Sequence, residues 1–275
     1  MKYKLISTIF LLLAVTVNAQ QIDSIKEKET IIKSLKNDVL TIYGGMKHTY
    51  TQPLKWKGDD WLKFGAFAVG SGLFYITDED TTQFFIDQDK NAPHALKEIG
   101  WYYGSPQNFF IISAGVYGYG LLAKNEKFRH TGLLIITSAA ASGLVQTISK
   151  NAFGRARPSE GVGSKKFKFM SKEAGYHSFP SGHAILSFTA SHAIAKQFDN
   201  IWIKSGIYAV GLIAPVSRLW AEAHWVSDVA VGMAFSIIVV DAVDNYLTKT
   251  NKTKEPKISW KLKAGVGTVG LVGTF

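Results

Sequence analysis

Six apolar stretches, at residues 61–77, 99–123, 131–149, 184–198, 202–220 and 229–247, fill most of the chain beyond its first sixty residues. They are dense in small side chains, as in Ala66-Phe67-Ala68-Val69-Gly70-Ser71-Gly72 and Ala139-Ala140-Ala141-Ser142-Gly143. Small residues on apolar helices let backbones approach closely, and none of the stretches sustains the alternation of a half-buried strand. The sequence therefore predicts an all-α fold, a six-helix bundle embedded in a membrane. Residues 99–123 and 130–149 carry no Asp, Glu, Lys or Arg and are long enough for the roughly 30 Å of a hydrocarbon core. The uncharged parts of the others, such as 64–77, 205–217 and 229–240, suit buried core helices equally well. With 47% hydrophobic and 19% charged residues, the composition excludes a disordered chain.

The N-terminus has a different texture. A basic start, Met1-Lys2-Tyr3-Lys4, precedes a short apolar run and the small-residue pattern Val17-Asn18-Ala19, which together read as a secretory signal peptide over residues 1–19. Residues 20–57 are polar, with a weak helical period through Ile22, Ile25, Ile31, Ile32 and Leu35, and read as an amphipathic lead-in. The helical domain is expected over 58–248, followed by a basic, Gly-rich tail over 249–275. Within the tail, 258–264 alternates like a strand, but a single strand closes no barrel, so a disordered or loosely docked tail is expected.

Two connections are long. Residues 78–98 read as an acidic-leaning polar loop. Residues 150–173 hold seven basic side chains against Glu160 and Glu173, a positive field suited to anions. The chain has 31 Lys and Arg against 21 Asp and Glu, and no cysteine, which excludes disulfides, thiolate metal sites and a cysteine nucleophile.

Three clusters carry chemistry: Lys150-Asn-Ala-Phe-Gly-Arg155-Ala-Arg157-Pro158, Ser178-Phe-Pro-Ser181-Gly182-His183, and Ser217-Arg218 followed by His224 and Asp228. Arginine offers planar paired donors to phosphate oxygens and lysine a point charge. The Ser181-Gly182 turn can present a hydroxyl and a backbone N–H at a helix N-terminus. If the third segment is helical, His224 and Asp228 share a face at i and i+4, so the carboxylate can hold the imidazole in the tautomer that attacks. His183 is then free to protonate a leaving oxygen. Arg155 reads as an extra phosphate ligand or a loop-surface charge. His177 and His192 have no evident role, and Trp220 and Trp225 read as packing or interfacial aromatics.

Taken together, Lys-x6-Arg-Pro, Pro-Ser-Gly-His and Ser-Arg-x5-His-x3-Asp resemble the three-part signature of the type 2 phosphatidic acid phosphatase family. Its superfamily includes bacterial class A acid phosphatases and vanadium-dependent haloperoxidases. The resemblance implies that His224 attacks phosphorus and forms a phosphohistidine, with Asp228 orienting it and His183 as acid and then base. It implies phosphate binding by Lys150, Arg157, Ser181, Gly182 and Arg218, with no metal and no other cofactor. The expected substrate is a lipid phosphate or diphosphate, such as phosphatidic acid, an isoprenoid diphosphate or a lipid A phosphate. The membrane is a partner and nucleic acid is not; the sequence sets no oligomeric state.

The resemblance and the signal peptide conflict over topology. Export of residue 20 followed by six full spans would place the 150–183 loop inside, whereas family lipid phosphatases act on the outer face. A periplasm-facing site in the inner membrane of a bacterial envelope therefore requires that one early stretch fails to cross, and 61–77 is the shortest candidate. The alternatives are a soluble, non-specific periplasmic acid phosphatase, a vanadate-dependent haloperoxidase, and a non-catalytic membrane protein on the same scaffold.

Overall fold

The computed structural model describes residues 24–254, 259–265 and 268–274. The signal-peptide assignment, residues 1–19, lies outside them. The chain divides into two compact units, Met1–Asp38 and Val39–Phe275. The described part of the first is the opening of helix α1, Ser24–Thr51. In the second, the rest of α1 supplies Ile42 and Met46 to the core, and the Tyr50 hydroxyl donates to the Ala141 carbonyl at 3.0 Å.

Among the described residues eight further α-helices follow: α2 Gly58–Ile76, α3 Asp78–Gln88, α4 His94–Tyr103, α5 Pro106–Leu122, α6 Glu126–Phe153, α7 Gly182–Ala195, α8 Ile201–Trp220 and α9 Val226–Lys254. The core lies where α6, α7 and α9 meet, through Leu134, Ile135, Ala139, Leu186, Ala190, Val240 and Val243. The close approach predicted from small residues is realised between α5 and α6, where a Cβ on Gly132 would stand 2.6 Å from the Tyr117 Cα.

Three expectations are corrected. Residues 99–123 do not form one span, because α4 ends at Tyr103 and α5 begins at Pro106 with Ser105 as its N-cap. Proline suits the first helical turn and biases the residue before it away from helix, an effect that summed hydropathy does not register. Residues 78–98 are not a loop but mostly helix. Asp78, Glu79 and Asp80 fill the first turn of α3, where carboxylates oppose the positive end of the helix dipole. The tail is not disordered in its described part: Ser259–Gly265 pairs antiparallel with Thr268–Thr274, Leu262 opposite Leu271. Each strand supplies the other's ladder partners, although two strands close no barrel either.

Among the described residues two helices, α6 and the Val226–Thr250 part of α9, are long and apolar enough to cross a membrane. Large apolar side chains also face outward from other helices. Leu62 and Ile76 of α2 are about three-quarters exposed, Ile111 of α5 is 70% exposed and Trp202 of α8 is 82% exposed, far more than scattered surface apolar residues require.

Polar links pin the bundle at one end. His130 bonds Asp244, Lys196 bridges Asp241 and Asp244, and His192 lies between Tyr208 and Asp241. His192, roleless in the sequence, thus ties α7 to α8 and α9. Lys150 follows His130 by twenty residues along α6, or about 30 Å of helix, so the motif residues gather at the other end.

Candidate active site

Helix α6 ends where the first motif needs a turn. Gly154 is its C-cap at φ 59°, a left-handed conformation that glycine adopts without a Cβ penalty. A Cβ there would also stand 1.8 Å from the Lys168 carbonyl oxygen. The chain then pairs with its own loop: the Ala156 N–H donates to Lys166, Arg157 to Gly175 and Ser178 to Arg155. These bonds bring the second motif beside the first.

A cavity of about 230 Å³ forms among the three motifs, lined by Lys150, Arg157, Gly182, His183, Arg218 and His224. Six of the eight residues singled out in the sequence therefore line one space. The other two stand behind it. Ser181 is fully buried and N-caps α7, its Oγ accepting from the Ala184 N–H at 3.5 Å. Its hydroxyl is a cap and not part of the cavity wall. Asp228 is also fully buried, in the first turn of α9.

His224 and Asp228 do not lie on one helical face. His224 sits in the bend before α9, and the Trp225 N–H donates to Asp228 Oδ2 at 2.9 Å, half of a capping box. The gap from His224 Nδ1 to Asp228 Oδ2 is 3.9 Å, longer than a hydrogen bond. The carboxylate instead accepts from Arg155 Nη1 at 2.6 Å and Ser178 Oγ at 2.5 Å.

Arg155 is accordingly neither a phosphate ligand nor a surface charge. It is 2% exposed and bonds Asp228, Asp78 Oδ2 at 2.7 Å, Ser227 Oγ at 2.8 Å and the Ser164 carbonyl at 3.0 Å. A guanidinium so enclosed persists only with its charge and donors matched. Lys150, by contrast, spends one donor on the His177 carbonyl at 2.6 Å, which gives His177 its role; its ring bonds the Ser171 carbonyl. Trp225 is a packing residue, buried with its indole N–H donating to the Ala156 carbonyl at 2.7 Å.

The electrostatics are lopsided toward positive charge. Burial, then Lys150 and Arg157, hold the His224 imidazole well below its ordinary range, so it is neutral and keeps a lone pair at pH 7. His183, on a 14-residue helix too short to span a bilayer, is pushed down to about 4, first by burial and then by Arg218. Burial and Arg157 bring Arg218 down to about 10, which leaves it charged. Among the described residues, three buried side-chain nitrogens lack a hydrogen-bond partner, and all belong to this site: Arg157 Nε, His183 Nε2 and His224 Nδ1. Buried polar atoms are rarely left unpaired; an anion with several acceptor oxygens would satisfy the Arg157 Nε–H directly, and His183 Nε2 once that nitrogen is protonated.

Two lining residues with a polar or aromatic side chain escaped the sequence reading. Gln146 stands one turn before Lys150 on α6 and is the only long polar side chain in 131–149, a signal legible in retrospect. Trp101, on α4, covers the Arg218 guanidinium at 4.5 Å from its ring centroid and lies beside His183. It was hidden inside the supposed span. The α4–α5 corner reaches this position because Gly104 has no side chain: a Cβ there would stand 2.6 Å from His183 Cδ2. Gly104→Ala is expected to displace His183 and lower kcat by about tenfold or more, at a stability cost of about 1–3 kcal/mol. Steady-state kinetics with a melting curve check this; wild-type kcat would show that the ring has room to give.

A neutral imidazole and a second histidine facing a pocket of protein cations is an arrangement for phosphoryl transfer, and comparison with known proteins agrees. Residues 131–251 match the PAP2 superfamily. The chain is a phosphoric ester hydrolase. It is 29% identical over 202 residues to a lipid A 1-phosphatase of Rhizobium etli, covering 66% of this chain and 81% of that one. A lipid A 1-phosphatase of Rhizobium johnstonii is 31% identical over 106 residues, 38% of this chain and 43% of that one. Among solved structures, Aquifex aeolicus LpxE superposes with a TM-score of 0.45 at 17% identity, over 62% of this chain and 95% of the other.

Proposed function

We propose that the protein hydrolyses the phosphate of a membrane lipid, with lipid A or a lipid of that kind as the leading substrate. The observation that carries this reading is the cavity itself, three protein cations around two unprotonated histidines, with Arg157 Nε and His183 Nε2 buried there without a partner. The name of the Rhizobium etli relative supports the lipid class. The phosphate oxygens would lie against Lys150, Arg157, Arg218 and the N-terminus of α7 at Gly182, where helix N–H groups favour an anion. His224 would attack phosphorus as the P–O bond to the lipid breaks, giving a phosphohistidine. The negative charge of the bound phosphate offsets the cations that depress His183, which can then carry the proton to the leaving oxygen. In the second step His183 would take a proton from water, whose oxygen attacks phosphorus and frees His224. The fixed cations would stabilise charge on the equatorial oxygens in both steps.

Assay of the full-length protein in detergent, with lipid A, phosphatidic acid, an isoprenoid diphosphate and small soluble esters, tests this. The expected result is release of phosphate from a lipid at a kcat/KM at least about tenfold above that for small esters. Activity is expected to survive chelator and to fall with vanadate. Preference for small esters would support the soluble acid-phosphatase alternative, and loss in chelator reversed by Mg²⁺ would overturn the mechanism.

In this reading the site faces the periplasm from the inner membrane, α6 and α9 would cross, and the outward apolar side chains of α2, α5 and α8 would lie against lipid. A cysteine at Lys165, exposed in the basic loop, would be the only cysteine in the chain. An impermeant thiol reagent is expected to label it in intact spheroplasts. Labelling only after lysis would put the site on the cytoplasmic side.

A further inference from the structure

Asp78 lies outside all three motifs, 150 residues before Asp228, and is fully buried. Its carboxylate accepts from Arg155 Nη2 at 2.7 Å, from the Ser227 backbone N–H at 2.8 Å and from Ser227 Oγ at 2.5 Å. One turn further along α3, Thr82 Oγ1 accepts from the Val226 N–H at 3.3 Å. The first N–H groups of a helix have no partner within it, and here α3 supplies partners to the first two residues of α9. The guanidinium that binds Asp78 also binds Asp228, and the Ser227 hydroxyl stands between, accepting from Arg155 Nη1. Asp78, Arg155 and the opening turn of α9 thus form a closed ring of bonds behind His224.

We propose that Asp78 is a positioning residue for the reaction, acting through Arg155 and the first turn of α9 to set where Asp228 stands relative to His224. It does not line the cavity and touches no reacting atom. The inference rests on the roles assigned above to His224 and Asp228. Its physical basis is the 3.9 Å gap between His224 Nδ1 and Asp228 Oδ2, which must shorten by about 1 Å to become a hydrogen bond. Catalytic hydrogen bonds are often long before the substrate binds. Asp228 is carried by the turn that Asp78 caps, so the cap governs how far the carboxylate can advance. Asp78 also shares the Arg155 charge. Without that sharing the whole guanidinium charge faces Asp228 and holds it back from the imidazole.

Asp78→Asn removes the charge and keeps the size and one acceptor. With lipid A as substrate, kcat is expected to fall about tenfold or more while KM changes less than about threefold, because Lys150, Arg157 and Arg218 are untouched. The decisive comparison is a double-mutant cycle, with active sites counted by vanadate binding. If Asp78 acts through Asp228, Asp78→Asn costs less than about twofold further in an Asp228→Asn background. A structural contribution alone lowers kcat by the same factor in both backgrounds, and that result would overturn the proposal, as would wild-type kcat in Asp78→Asn. Should Asp78→Asn fail to fold, Ser227→Ala removes the shared hydroxyl and is read in the same cycle by the same criteria. Turnover that survives His224→Ala would remove the underlying reading instead. An inactive His224→Ala with an additive Asp78 cycle removes this inference alone.

Discussion

Replacement of His224 by alanine is expected to lower turnover by at least about 10⁴-fold while leaving the protein folded and able to bind vanadate. Nucleophile deletions elsewhere cost up to about 10⁶ in kcat, because no residual pathway forms the covalent intermediate. The other cavity histidine does not substitute, since Trp101 and Gly104 pack against the His183 ring and confine it. The change removes a buried, neutral ring whose Nδ1 has no partner, so no ion pair is broken and the stability loss stays within the range of a core truncation, about 2–4 kcal/mol. Phosphate release from the lipid substrate, with vanadate binding measured on the same sample, checks the expectation. Turnover within tenfold of wild type would remove His224 as nucleophile.

The second large effect is on folding. Arg155→Ala leaves Asp78 and Asp228 facing each other, both fully buried, with no cation between them. Breaking a buried pair by removing one partner costs about 3–5 kcal/mol, and here one deletion uncovers two carboxylates. The expected result is a protein that fails to accumulate or melts well below wild type. Arg155→Lys should not restore it. Arg155 directs Nε, Nη1 and Nη2 at a carbonyl, a hydroxyl and two carboxylates at fixed angles, and an ammonium cannot reproduce that planar fork. Thermal melting in detergent and yield of folded protein measure the effect; a lysine variant with wild-type stability would show that charge alone suffices.

These two residues differ in how far the sequence revealed them. His224 was legible because it stands in the three-part signature that the chain resembles: a histidine, a carboxylate four residues on, and cations in Lys-x6-Arg-Pro. Arg155 sits in the same motif, two residues from a cavity-lining arginine, yet spacing does not say which guanidinium faces the cavity. The backbone pairing of 154–157 with 166–168 and 175 turns Arg157 toward the cavity and Arg155 toward α3 and α9. The broken 99–123 stretch is a similar case. Its apolar composition was plain, and Pro106 was visible, but whether a proline kinks a helix or separates two depends on what the neighbouring helices accept. Here Gly104 meets His183, and that contact fixes a corner.

The sequence by itself determined the helical class and the small-residue packing, because periodicity and side-chain volume are local properties, and the resemblance carried by its three motifs pointed to six of the groups that line the cavity. Only the tertiary structure decided that Asp228 stands 3.9 Å from His224 and not in contact, that Ser181 caps a helix, and that Asp78, 150 residues away, shares Arg155 with Asp228. The physical reason is burial. Once folding removes water from around Arg155, each of its donors must find an acceptor within the protein, and which acceptors lie within reach depends on where separate helices come to rest.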